Sequence, residues 1–137
     1  MWALYRLVFV VFLLSYTSPA SGEPVEVKVS PDGVQRAEII VDSYSFKPDH
    51  LIVTAKTPVE LTLRSITFIV PHNFVIEAKG ADLEIHKEVP SGKTITVQFT
   101  PIQTGEFKFF CDNRLLFFKS HKEKGMVGTL EVRGGLP

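Results

Sequence analysis

Residues 94–100 run T-I-T-V-Q-F-T, which puts Ile95, Val97 and Phe99 on one face of an extended chain and the polar residues on the other. The same period of two recurs in V-E-V-K-V at 25–29 and in V-E-L-T-L-R at 59–64. A helix does not segregate such a pattern, and no stretch keeps a helical period for three turns. Breakers punctuate the runs: S-P-D-G at 30–33, K-T-P at 56–58 and P-I-Q-T-G at 101–105. Further apolar or β-branched runs lie at 36–42, 51–55, 72–77, 106–110 and 126–132, with 44–48 closing the first of them. About eight short strands at roughly ten-residue spacing predict an all-β sandwich or barrel, folded as one domain. The charged stretch 78–93 is expected to be a loop, with at most a turn of helix at 81–87.

The N-terminus has a different character. One positive charge, Arg6, precedes an apolar run at 7–14, and small residues follow, with Ser18 and Ala20 placed for cleavage. That order predicts a secretory signal peptide over 1–20, with cleavage after Gly22 as the alternative, and a domain over 23–137. The apolar run is shorter than the roughly 20 residues a membrane span needs, so no span is expected after cleavage. No paired arginines precede it, which favours general secretion, and a periplasmic or secreted location is expected. The 15 basic and 15 acidic side chains balance. No concentrated basic face marks a nucleic-acid footprint. No nucleophile is paired with a base and no glycine loop is built to cradle phosphate, so an enzyme is not expected.

The chain holds a single cysteine, Cys111. In an oxidising compartment thiols normally pair, which leaves a buried inert thiol, an intermolecular disulfide or a metal ligand. In G-E-F-K-F-F-C the side chains of Phe107, Phe109 and Cys111 share a face, so the thiol is expected to point inward at the end of its strand. His121 and Met126 follow it, and His72 lies upstream in V-P-H-N-F. One thiolate, two imidazoles and a thioether suit copper in a trigonal His₂Cys arrangement with a weak axial methionine. His50 and His86 lack such context and are expected at the surface.

Three segments carry a resemblance to the cupredoxins, the plastocyanin-like blue copper proteins. F-K-P at 46–48, followed by L-I-V at 51–53 and V-E-L-T-L at 59–63, resembles the opening of bacterial members. P-H-N-F-V-I at 71–76 resembles the strand that supplies the first histidine. V-Q-F-T-P at 97–101, G-E-F-K-F-F-C at 105–111 and G-M-V-G at 125–128 resemble the run into the cysteine and the exit past the methionine.

The resemblance spans roughly residues 38–132 and implies a Greek-key β-sandwich with one copper ion at one end. It implies His72, Cys111 and His121 as equatorial ligands and Met126 as the long axial one, with Asn73 tying the ligand loops together. One departure stands out. Family members usually place two to four residues between cysteine and second histidine, and here residues 112–120 intervene, while H-K-E-K-G-M keeps the familiar spacing. The insert carries Leu115, Leu116, Phe117 and Phe118, expected either to cap the sandwich end against water or to dock a redox partner. The expected function is a monomeric one-electron carrier cycling Cu(II) and Cu(I). The alternatives are a copper chaperone or store, and a metal-free β-sandwich accessory module.

Overall fold

A computed structural model describes residues 22–135. The expected signal peptide lies outside the described residues. In chain order the strands are β1 (Val25–Glu26), β2 (Gln35–Asp42), β3 (Ser45–Lys47), β4 (His50–Thr54), β5 (Val59–Ser65), β6 (His72–Ala78), β7 (Leu83–Val89), β8 (Thr94–Phe99), β9 (Gly105–Phe110) and β10 (Val127–Arg133). One sheet has the order β1-β4-β10-β9-β6-β7 and the other β3-β2-β5-β8. Because strands adjacent in space are often distant in sequence, the chain crosses repeatedly between the sheets, as a Greek-key sandwich requires. None of the described helical segments is long and apolar enough to cross a membrane.

The period-two pattern becomes the core. Val59, Leu61 and Leu63 of β5 point inward while Glu60, Thr62 and Arg64 do not, as the alternation requires. With Ile39, Val41 and Val97 they face Leu51, Val53, Phe74, Ile76, Phe109 and Leu130 of the larger sheet. Phe46 stands edge-on to Phe74 and Phe109, at ring centroids of 6.0 and 5.2 Å, and those two stack at 5.1 Å. Such ring pairs add to the area they bury. Gln35 is a fully buried polar residue, and it is satisfied. Its amide accepts from Thr54 N at 2.6 Å and donates to the carbonyls of Thr54 and Thr57, at 3.1 and 3.3 Å.

The ten strands exceed the eight expected by two, β7 and β3, and one expected strand is shorter than its alternation suggests. Residues 83–89 form strand β7, paired with β6 from His72↔Val89 to Ala78↔Leu83, where a loop was expected. Leu83 and Val89 are buried at its ends, and exposed charges between them hide the alternation, because one side of this edge strand faces water. The only helical turn nearby is a 3-10 turn at Lys79–Ala81. Residues 25–29 do the opposite. Only Val25 and Glu26 pair with β4, and Val29 makes an isolated bridge to Gln35. Residues 45–47 are a separate short strand against β2.

Strand direction gathers one end of the sandwich. β6 starts at His72 and β9 runs antiparallel to it, ending at Phe110 beside Val75. β10 starts opposite Phe110, and β4 runs parallel to β10. The start of β6, the end of β9 and the starts of β10 and β4 therefore share this end.

Candidate metal centre

His72 opens β6, Cys111 follows the last residue of β9, His121 lies in the turn before β10, and Met126 immediately precedes β10. One ligand atom each from His72, Cys111 and His121 lies within 4.8 Å of the others, and all three residues are buried. Both histidines turn Nδ1 toward the thiol: Cys111 Sγ is 3.9 Å from His72 Nδ1 and 3.3 Å from His121 Nδ1. An ion held at about 2.3 Å from sulfur and about 2.0 Å from nitrogen, with angles between tetrahedral and trigonal, sets a sulfur–nitrogen separation of about 3.5–3.8 Å. The two observed distances bracket that range, so the donor set fits a soft metal ion without a change of fold.

Met126 is fully buried and tied to the cluster by its backbone. Its N–H donates to His121 O at 2.9 Å and its carbonyl accepts from Cys111 N at 3.2 Å. His50 and His86 lie outside the cluster. The expectation that both are free at the surface fails for His50, which is half-buried on β4 with Nε2 3.2 Å from Glu131. His86 is exposed, on β7 and not in a loop, and its Nε2 lies 3.3 Å from Asn73 Nδ2.

The electrostatics suit neutral imidazoles and a thiol that ionises only against a cation. Burial, and then repulsion from His121, lower the His72 pKa to about 4. Burial, and then Lys124, lower that of His121. Burial raises the Cys111 thiol, partly offset by the backbone N–H groups of Asn73 and Asn113. His72 Nε2 is buried with no hydrogen-bond partner among the described residues. Such an orphan costs on the order of 1–3 kcal/mol, which the fold bears while holding Nδ1 toward the thiol.

Asn73 does tie the ligand segments. Its backbone N–H donates to Cys111 Sγ at 3.3 Å, its side chain donates to Asp112 Oδ1 at 2.6 Å, and its Oδ1 accepts from Asp112 N at 3.0 Å. The long insert leaves the site intact for a local reason. His121 N donates to Asn113 O at 2.9 Å, so residues 114–120 leave and return through a closed neck. Asn113 Nδ2 also donates to Pro71 O at 3.2 Å, which fixes that neck to the segment leading into His72.

Several contributors escaped the sequence reading. Ser120 and Glu123 form a capping box, with Ser120 N donating to Glu123 Oε2 at 2.7 Å and Glu123 N to Ser120 Oγ at 3.2 Å. The S-x-x-E spacing was its visible signal. The box nucleates the turn that presents His121 and ends at Gly125, whose φ of 95° favours glycine. Tyr44 stands edge-on to His121 at 5.0 Å and is itself covered by the Lys124 ammonium, 4.3 Å from the ring centroid. Nothing in the sequence announces that long-range contact. The inward parity of Phe109 and Cys111 is observed, but Phe110 is buried too, on the other face, with Lys122 Nζ 3.7 Å over its ring.

The expectation that Leu115, Leu116, Phe117 and Phe118 cap the sandwich end is overturned. All four are exposed, because the neck at Asn113 throws residues 114–120 outward. Tyr44 packs against His121, while Asn113, Arg114 and Leu115 of the insert line a cavity beside it.

Comparison with known proteins places the chain. A family model described as the cupredoxin-like domain matches residues 5–127. No curated protein matches the sequence. Among solved structures, the metal binding domain of a Cu(I)-exporting P-type ATPase from Streptococcus pneumoniae, with Cu(I), is 20% identical at a TM-score of 0.63, covering 81% of this chain and 96% of that one. Auracyanin A, a blue copper protein from Chloroflexus aurantiacus, is 18% identical at a TM-score of 0.57, covering 74% and 100%. A Cu-containing nitrite reductase from Thermus scotoductus is 17% identical at a TM-score of 0.56, covering 82% of this chain and 28% of that one. Such identities show a shared fold, one that carries different functions in different proteins. With the family model matching most of its length and the sandwich and cluster in place, the chain belongs to the cupredoxin-like domain family.

Proposed function

We propose that the protein is a copper-binding one-electron carrier working in the periplasm or outside the cell, with His72, Cys111, His121 and Met126 holding one copper ion. The observation that carries this reading is the convergence of two Nδ1 atoms on one buried thiol, at 3.9 and 3.3 Å. A bound copper ion would supply the Cu(II)/Cu(I) couple. The chain supplies the rest. Cys111 gives a soft donor, with the Asn73 N–H on its sulfur stabilising the thiolate. The lowered pKa values keep both imidazoles neutral at neutral pH, each with one ring nitrogen unprotonated. The Asn73–Asp112 and Asn113–Pro71 bonds fix the ligand segments to the sandwich, so the donors have little room to rearrange when charge changes. His121 borders a cavity of about 410 Å³ and is the least buried of the four residues, so its imidazole would be the route for electrons to a partner.

A second reading, copper delivery or storage, is favoured by the likeness to a Cu(I)-bound exporter domain, since the same donors serve it. Copper retention separates the two. Loaded protein is taken through repeated cycles of oxidation and reduction beside a Cu(I)-selective chelator. A carrier keeps its copper through the cycles, whereas transfer to the chelator on each reduction would contradict the carrier reading and support delivery.

A further inference from the structure

Two loops at the metal end carry apolar side chains that the fold does not use. Phe68 and Ile69, between β5 and β6, are 94% and 89% exposed, and Phe117, at the tip of the 114–120 excursion, is 99% exposed. Leu115, Leu116 and Phe118 are exposed beside it. The loops form one surface, since Ile69 and Leu115 line the same cavity and Asn113 binds Pro71 O. An apolar patch of this kind marks an interaction site.

We infer that this end of the molecule is a membrane-docking tip that inserts Phe68, Ile69 and residues 115–118 into the surface of a bilayer rich in anionic lipid. Two features select lipid over a protein partner. The first is shape: side chains exposed this fully project beyond their neighbours. Hydrocarbon accommodates projections of any outline, whereas a protein partner must carry matching hollows. The second is charge. Arg114, Lys119, Lys122 and Lys124 are all exposed in the excursion and the turn that follows it, where ammonium and guanidinium groups can meet anionic headgroups. Of the acidic residues nearby, Glu123 is held by Ser120 and Arg114, and Glu88 lines the cavity beside Ile69 and Leu115.

The test uses vesicles of phosphatidylcholine with and without phosphatidylglycerol, and the full chain. Trp2 is the only tryptophan, so Trp2→Phe with Phe117→Trp leaves one indole at the tip. Its emission is expected to shift to the blue on adding anionic vesicles and to be quenched by brominated acyl chains. Phe68→Ser with Phe117→Ser is expected to weaken vesicle partitioning at least tenfold relative to the unsubstituted chain, as is Lys119→Glu with Lys122→Glu. These positions face solvent and leave the core untouched, and residues 1–21 are common to all the chains. An indole that stays water-exposed, or equal partitioning by parent and serine variants, overturns the inference. Concentration-dependent dimerisation without lipid that Phe117→Ser abolishes would also overturn it, assigning the patch to a second copy of the chain.

Discussion

At the scale of single residues, the cluster of His72, Cys111 and His121 is assembled by the fold alone. His72 is the best indicator, because its surroundings hold it neutral. Unfolded, its imidazole takes a proton near pH 6.5; folded, only near pH 4. Between those values the unfolded chain binds more protons, so the metal-free protein is fully stable above about pH 6.5 and loses stability as acidification proceeds toward pH 4. The loss is on the order of 2 kcal/mol from His72, and His121 adds in the same direction. Urea melts of the metal-free protein at pH 7 and pH 4.5 check it; equal midpoints would mean that the ring is not buried as described. Met126 poses the other question at this scale. Replacement by leucine is expected to keep copper bound and to raise the reduction potential by removing the thioether, as voltammetry would show. An unchanged potential would reduce Met126 to a core filler.

At the scale of elements, what was legible in the sequence depended on whether a signal was local. β5 and β8 were visible because their alternation repeats within six or seven residues, and F-K-F-F-C fixed the direction of the thiol. β7 was hidden because Glu84, His86, Lys87 and Glu88 face water along an edge strand, and only pairing with β6 makes that segment extended. The residues that meet in the cluster, His72, Cys111 and His121, were legible; the closed neck of the insert was not. It depends on Asn113 O meeting His121 N, a contact that seven intervening residues conceal. The neck has a consequence for engineering. Replacing residues 114–119 with two glycines is expected to leave the copper site intact and to change unfolding stability by less than about 1 kcal/mol, because closure cost varies slowly with loop length. Loss of the copper spectrum in that variant would show that the excursion itself positions His121.

At the scale of the whole molecule, the sandwich brings together residues that lie up to 54 positions apart, from His72 to Met126. Two strand ends and one capped turn meet at one pole, and the aromatic trio of Phe46, Phe74 and Phe109 lies within the core between the same sheets. The packing of both sheets therefore bears on the placement of the donors. The central claim is that this pole binds copper through Cys111. A titration of the protein with Cu(II), followed by visible absorption and paramagnetic resonance, tests it beside the Cys111→Ser variant. An intense thiolate-to-copper band saturating at one equivalent, with small hyperfine splitting, and absent from the variant, is the expected result. A pale spectrum in the parent, or an intense band that survives Cys111→Ser, would contradict the assignment.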